Sequence, residues 1–253
     1  MPRYVLLVED DGAGFVGWQL QETGLSVQQA LEEAAAHLTP QDPVVAVAAG
    51  RTDAGVHAEG QVVHLDLARE LDPLRLREAL NFHLGAYRVA VLEAACAPAA
   101  FHARFSAIGR AYRYDILDRR ARPALLAGRV WHVKRRLDTE AMQDAAALLV
   151  GRHDFTSFRA AACQAASPVK TLDRLEVRRE GDLVRIVAVA KSFLHHQVRN
   201  LVGTLKLVGE GRWTAADVGT ALAARDRSAA GPTAPAEGLT LTAVRYPVDP
   251  FAR

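Results

Sequence analysis

The sequence predicts an α/β (α+β) protein made of two ferredoxin-like halves, each with its elements in the order β-α-β-β-α-β. Runs with the two-residue period of a strand alternate with longer runs at helical spacing, and this order of elements occurs twice. The chain has 253 residues, 50% of them hydrophobic, which is enough for two cores. We predict an N-terminal domain over residues 1–105 and a C-terminal domain over residues 106–253, from element order alone.

Both helices of the first half have a recognisable N-terminus. Ser26 and Gln29 have capping-box spacing before the first helix, and Asp72 with Pro73 starts the second. The predicted elements are strand 4–8, helix 27–38, strand 44–49, strand 61–67, helix 72–84 and strand 88–95.

The second half has the same order with one additional helix. Asp138 is a good N-cap, Gly151 ends the helix that follows, and the Gly181 turn joins a hairpin. The predicted elements are strand 108–117, helix 138–150, strands 172–179 and 183–191, helix 197–210, a short helix after Thr214, and strand 239–246.

Composition excludes several classes of protein. The two cysteines, Cys96 and Cys163, suit a reducing cytosol and argue against a disulfide scaffold or a cysteine-based zinc site. The apolar runs are too short to span a bilayer, and the chain enters a strand-like run at Tyr4, so we expect no signal peptide. We therefore expect a cytoplasmic protein.

The net charge of +2 is unevenly distributed, because residues 1–50 contain one base and seven acids. Residues 110–136 contain nine bases, interleaved with Tyr112, Tyr114 and Trp131, against two acids. This composition suits a nucleic-acid backbone. A well-solvated arginine-rich surface is the alternative interpretation.

Two further patterns do not predict cofactor or metal sites. Gly12, Gly14 and Gly17 match G-x-G-x-x-G after a strand, but the next helix begins only at residue 27, so a phosphate would lack its helix N-terminus. We interpret the glycines as a tight, close-packed turn. His195 and His196, if helical, point about 100° apart and make a poor ligand pair, and no other histidine spacing indicates a metal site.

The segment from Ala49 to His57 is the best candidate for chemistry. It places Asp53 two residues after Arg51, between glycines and between two strands. A neighbouring cation favours the ionised carboxylate, which suits a nucleophile or a base. The alternative is a structural ion pair that fixes a loop, with His57 and His64 as ordinary loop or strand residues.

The same segment resembles the catalytic signature of the tRNA pseudouridine synthase A (TruA) family. Other segments that are similar to the family occur in the expected order along nearly the whole chain. They are Asp11-Gly12, Gly17-Trp18-Gln19, Phe101 to Ser106, Arg110 to Tyr114, Asp154 to Arg159, Phe193, Val198-Arg199-Asn200 and Ala236 to Leu239. One departure is Asp10, where the family usually has an aromatic residue before Asp-Gly.

The resemblance implies a function and an assembly. The family converts uridine to pseudouridine at positions 38, 39 and 40 in the anticodon stem-loop of tRNA, without a metal or redox cofactor. Its members are homodimers in which two ferredoxin-like domains pack around a central cleft through a continuous mixed sheet. The target base must leave its stack before it reacts.

The resemblance also implies roles for six residues. Asp53 would be the nucleophile, attacking C1′ or C6 or removing a ribose proton to give a glycal. Arg51 would keep Asp53 ionised and Arg199 would be a second ion-pair partner. Tyr112 would stack on the uracil, with its hydroxyl available for deprotonation of C5. Phe193 and Leu239 would be apolar walls.

Two alternatives of other classes remain at this stage. One is a catalytically silent RNA-binding protein, against which the set of Arg51, Asp53 and Tyr112 argues. The other is an NADP-dependent oxidoreductase that uses Gly12 to Gly17, with Arg51 on the 2′-phosphate. The delayed helix argues against it.

Overall fold

The protein is described from a computed structural model covering residues 1–252, and the chain divides into two compact units. The first unit comprises Met1–Gly109 and the residues from Leu241 onward, and the second comprises Arg110–Thr240. Strands and α-helices alternate in both, so the predicted α/β class is confirmed. No helix within residues 1–252 has the length and apolar character that a membrane crossing requires.

The first unit contains the predicted β-α-β-β-α-β order. Its elements are β1 (Arg3–Asp10), α1 (Val27–Ala36), β2 (Val47–Ala48), β3 (His57–Asp66), α2 (Pro73–His83) and β4 (Val89–Ala97). Strand β1 lies antiparallel between β3 and β4, and β2 pairs with β3. The order β4-β1-β3-β2 is that of a ferredoxin-like sheet. The Ser26 and Asp72 side chains cap the two helices, because each accepts a backbone hydrogen bond from the first turn. The Gln29 side chain donates to Glu33, so only the Ser26 half of the predicted capping box is present.

The two faces of this sheet bury different sets of residues. Tyr4, Leu6 and Val8 of β1 point to the face that α1 and α2 cover and belong to the larger core. Val5, between them, points to the opposite face, where it forms a smaller core with Ala49, Val62 and Ala103. This alternation follows from the two-residue period of a strand. In the segment that leads into the Asp53 loop, Ala48 therefore points to the face that α1 and α2 cover, and Ala49 points to the opposite face.

The second unit has the same order with added pieces. Its elements are β5 (Gly109–Leu117), β6 (Trp131–His132), α3 (Thr139–Ala147), β7 (Gly151–Asp154), β8 (Val169–Glu180), β9 (Leu183–Ala190), α4 (Gln197–Gly209), α5 (Ala215–Ala224) and β10 (Leu239–Arg245). Strand β9 lies antiparallel between β5 and β8, while β7 pairs with β8 and β6 runs parallel to β5. Strand β10 begins in this unit and ends in the first.

The differences from the predicted elements have local causes. Strand β2 is two residues long instead of the six predicted over 44–49, because Glu32 of α1 accepts the backbone N–H of Ala46 at 2.8 Å. Strands β6 and β7 were not predicted. The sequence of β7, Gly-Arg-His-Asp, has no apolar alternation that would indicate a strand. The domain boundary near residue 105 and the central cleft stay predictions.

Candidate active site

Asp53 lies on a short loop that joins β2 to β3 in the first unit. The backbone N–H of Val56 donates to the carbonyl of Asp53 at 3.1 Å, which closes a turn around Gly55. The φ angle of Gly55 is 77°, so the turn needs a residue that tolerates the left-handed region. Asp53 itself is half-buried, while Thr52 before it is buried. The loop thus holds a single carboxylate at a defined position with partial access to solvent.

The glycine-rich segment after β1 packs its backbone directly on the backbone of the Asp53 loop. Trp18 donates its backbone N–H to the carbonyl of Thr52 at 3.0 Å, and Gly17 forms a β-bridge with Asp53. A Cβ atom on Gly17 would lie 2.6 Å from the Thr52 carbonyl oxygen, closer than real Cβ atoms come. The predicted close-packed turn is therefore present, and its structural role is to support the Asp53 loop.

His57 binds the start of the glycine-rich segment, at Gly12. Its Nδ1 atom lies 3.1 Å from the backbone nitrogen of Gly12 and 3.0 Å from a carboxylate oxygen of Asp11. Nδ1 donates to Asp11 when it carries a proton and accepts from Gly12 when it does not. Asp11 also pairs with Arg88 at 3.0 Å. His57 therefore orients the glycine-rich segment, and this segment in turn contacts the Asp53 loop.

The expected ion pair between Arg51 and Asp53 stays a prediction. Arg51 is exposed, whereas Asp53 is half-buried. The loop turns between the two positions, so Thr52 enters the interior while Arg51 faces solvent. An exposed cation beside a half-buried carboxylate is available to an anionic ligand such as a phosphate.

Asp10 is an unusual residue at the base of the glycine-rich segment. It is 5% exposed, and neither carboxylate oxygen has a hydrogen-bond partner within residues 1–252. Burial, with a smaller contribution from the charge of Asp11, raises the pKa of Asp10 to about 7. Asp10 pairs with Ala58 of β3 in the sheet register, so it lies where both loops leave the sheet.

Tyr112 and Phe193, two of the predicted site residues, meet in the second unit. Tyr112 lies on β5 opposite Ala188, and its ring contacts Phe193 edge-to-face with the ring centroids 5.2 Å apart. Tyr114, two residues further along the strand, donates its hydroxyl to the carbonyl of Pro235 at 2.8 Å. Tyr114 is fully buried, and burial raises its pKa, so its hydroxyl remains a hydrogen-bond donor within the fold. The edge-to-face contact with Phe193 limits the motion of the Tyr112 ring.

Arg199 and Leu239 lie close to one loop of the second unit. Arg199, in the first turn of α4, donates Nε to the carbonyl of Ala234 at 2.8 Å, which fixes the stem of its side chain. Leu239 begins β10 and is 6% exposed. The sequence did not predict this use of Arg199, because a contact 35 residues away leaves no local pattern.

The histidine pair differs from the sequence interpretation. His195 and His196 precede α4 instead of lying within it, and His196 is the N-cap with φ of 61°. Their rings lie 4.0 Å apart, centroid to centroid, and do not point 100° away from each other. The helical geometry assumed for this pair was therefore wrong.

The basic segment of residues 110–136 separates into buried and exposed parts. Arg110 and Arg113 lie on β5 and donate to Lys191 and Asp115. Tyr114 is fully buried, so the predicted interleaving of bases and aromatic rings does not form one surface. The exposed bases are Arg119, Arg120, Arg122, Arg129, Lys134, Arg135 and Arg136. This connection between β5 and α3 is the part of the segment that suits an RNA backbone.

Comparisons with known proteins identify the family. A family model described as tRNA pseudouridine synthase matches residues 145–247. A tRNA pseudouridine synthase A of Acidiphilium cryptum (strain JF-5) is 66% identical over all of both chains. One of Rhodospirillum centenum is 63% identical over 97% of this chain and all of the relative, and one of Beijerinckia indica is 58% identical over 98% and 95%. The chain therefore belongs to the tRNA pseudouridine synthase A family of isomerases.

Proposed function

We propose that this protein isomerises uridine to pseudouridine at positions 38, 39 and 40 in the anticodon stem-loop of tRNA, with Asp53 as the nucleophile. The observation that carries the proposal is the Asp53 loop, which presents one carboxylate on a backbone supported from behind by Gly17 and Trp18. In the reaction the N1–C1′ bond breaks, C5 bonds to C1′, the proton on C5 leaves and N1 gains one. One nucleophile and one base are enough for these steps.

The uridine must leave the helical stack before Asp53 acts, since its glycosidic carbon is not accessible within a stem. We propose that Tyr112 stacks on the flipped uracil, and the edge-to-face contact with Phe193 supports this because it holds the ring in place. Leu239 is proposed as a second apolar wall. The Tyr112 hydroxyl is proposed to take the C5 proton.

Two arginines have different proposed parts. Arg51 is proposed to bind RNA phosphate or to occupy the space of the flipped base, which its exposure supports. Arg199 is proposed to interact with the Asp53 carboxylate, as the family resemblance implies. We further propose a cytoplasmic homodimer that uses no metal or cofactor, as the family resemblance implies.

The decisive experiment maps pseudouridine in tRNA transcripts incubated with the protein. Wild type is expected to modify positions 38, 39 and 40, and Asp53→Asn to modify none. Because asparagine keeps the shape of the loop, tRNA affinity should stay within about tenfold, or about 1.4 kcal/mol. Pseudouridine formation by Asp53→Asn at the wild-type rate would disprove the nucleophile.

Tyr112→Phe separates the two roles of the tyrosine. The variant keeps the ring contact with Phe193 and loses only the hydroxyl. If the hydroxyl takes the C5 proton, kcat should fall by about 10²-fold or more while KM stays near wild type. Full activity would leave stacking as the only role of Tyr112.

Charge reversal tests the RNA surface. Arg120 and Arg122 are the suitable pair, because Arg119 also contacts Asp182 at 3.5 Å and its reversal would disturb that loop. Arg120→Glu with Arg122→Glu should weaken tRNA binding and reduce the salt dependence of the binding constant, by about 0.9 in log–log slope per lost phosphate contact. An unchanged slope would show that these arginines are only a solvated surface.

A further inference from the structure

Residues 102–106 form a turn that is fixed by an unusual number of hydrogen bonds. Within the turn, the backbone N–H of Ser106 donates to the carbonyl of His102 at 2.9 Å, and its hydroxyl accepts from the backbone of His102 at 3.0 Å. The His102 ring accepts from the backbone N–H of Arg104 at 3.2 Å. The turn therefore has one defined shape without any regular secondary structure.

Three side chains from distant parts of the first unit bind the backbone of this turn. Arg3 of β1 donates to the carbonyl of Phe101 at 2.6 Å, just before the turn. His64 of β3 accepts the backbone N–H of Ala103 at 3.2 Å, and Tyr246 donates its hydroxyl to the Ala103 carbonyl at 2.7 Å. Both backbone groups of Ala103 are thus satisfied by buried or half-buried side chains.

The charge state of His64 agrees with this supporting role. Burial, with smaller effects from Arg3 and His102, lowers the pKa of His64 to about 4. The imidazole is neutral at neutral pH, so its Nδ1 atom can accept the hydrogen bond from Ala103.

At the tip of this rigid turn the protein exposes an aromatic ring. The Phe105 side chain is 77% exposed, although burying a phenylalanine ordinarily stabilises a fold. The ring of His102 lies 4.4 Å from it, and the guanidinium carbon of Arg104, which is also exposed, lies 5.8 Å from the ring centroid. An aromatic ring beside a cation on a rigid support suits a nucleic-acid base with its attached phosphate.

The turn shares a small core with Ala49, which lies four residues before Asp53. Ala103 and Ala49 both belong to this core, on the face opposite α1 and α2. Ala49 donates its backbone N–H to Val62 at 2.7 Å, and Gly50 is held by Gln61 at 2.7 Å, so the segment that leads into the Asp53 loop is fixed beside this core within the first unit.

We propose that the turn of residues 102–106 is a stacking platform for an unpaired base of the tRNA substrate, with Phe105 under the base and Arg104 toward its phosphate. The inference rests on the proposed function for its substrate and adds a contact remote from the reacting uridine. A protein partner fits less well, since one ring flanked by an exposed arginine offers little of the apolar area that a stable protein interface buries.

The test compares Phe105→Ala with Phe82→Ala, a matched control in which an 81% exposed phenylalanine on α2 is removed. Phe105→Ala is expected to raise both the Kd and the KM for tRNA about tenfold, with kcat at saturating tRNA unchanged. Phe105→Trp should retain wild-type affinity, and its added tryptophan fluorescence should be quenched when tRNA binds.

Two results would overturn the platform. The first is a Kd for Phe105→Ala equal to that of Phe82→Ala with no quenching in Phe105→Trp. The second is a loss of tRNA affinity that follows a change of oligomeric state in sedimentation, which would assign the surface to a second copy of the chain. Failure of wild type to form pseudouridine in tRNA is a separate outcome, which would disprove the proposed function instead.

Discussion

Replacement of Asp10 by asparagine is expected to stabilise the protein at pH 8 and to have no such effect at pH 4. Asp10 is 5% exposed and its carboxylate has no hydrogen-bond partner among the described residues, so the ionised form is poorly solvated in the folded state. Its pKa is about 7 in the folded state against 3.8 for the free side chain. At about 1.4 kcal/mol per pH unit, this difference of about three units destabilises the fold by about 4 kcal/mol once Asp10 is ionised.

The pH window follows from proton binding in the two states. Between about pH 4 and pH 7 the folded protein keeps the proton on Asp10 while the unfolded chain has lost it, so stability falls as pH rises. Well above pH 7, Asp10 is ionised in both states and stability no longer falls with pH through this group. Asparagine cannot ionise, and its buried amide takes the place of the buried neutral carboxyl of the wild type, so these two burial costs largely cancel. The expected gain for Asp10→Asn at pH 8, relative to its effect at pH 4, is therefore about 4 kcal/mol.

Urea unfolding, monitored by tryptophan fluorescence, measures the difference in the free energy of unfolding. Trp18 is a suitable reporter because it lies in the core of the first unit. His64 contributes in the opposite direction, since its lowered pKa makes stability rise with pH between about 4 and 6.5. Comparison of Asp10→Asn with wild type at each pH cancels that contribution. Glu9→Gln, a change at the exposed neighbouring carboxylate, is the control. A difference between Asp10→Asn and wild type that does not grow from pH 4 to pH 8 would refute the reasoning.

Three further changes test the support of the site and of the fold. Gly17→Ala places a Cβ against the Asp53 loop at a φ of 104° and should lower kcat by tenfold or more. Gly14→Ala is the control, because Gly14 has a φ of 89° with open space around it, and its kcat should stay near wild type. Steady-state kinetics of both variants measures the difference. His64→Leu leaves a buried backbone N–H without its acceptor and should cost about 1–3 kcal/mol in thermal unfolding. Asp118→Ala removes the partner of Arg179, two hydrogen bonds of 2.8 and 2.9 Å, and should cost about 3–5 kcal/mol.

Periodicity and capping residues were enough to predict most of the fold. The helix caps at Ser26, Asp72 and Asp138 act within three residues, so they are visible in a short window of sequence. Thr214 forms a full capping box with Asp217 for the same reason. The lengths of β2 and β7 depend on contacts with distant residues and cannot be read from their own sequence.

The candidate site was less predictable because its contacts cross the chain. Arg51 and Asp53 are two residues apart, and spacing favoured an ion pair, yet the turn directs Arg51 to solvent. The contact of His57 with Gly12 spans 45 residues, and nothing near either residue indicates it. The Ala49–His57 segment itself was informative, because its Gly55 adopts a positive φ that indicates a turn beside Asp53.

The glycine spacing of the first loop illustrates how one sequence pattern serves two physical demands. In a dinucleotide-binding protein, such glycines let the backbone approach a pyrophosphate. Here a Cβ on Gly12 would lie 2.1 Å from the carbonyl oxygen of Val56, so the group that approaches is another stretch of protein backbone. Contact between two backbones leaves no flexible side chain to absorb a displacement. A change in the first loop must therefore move the loop that carries Asp53, so the position of the Asp53 carboxylate depends on glycines that are distant from it in sequence.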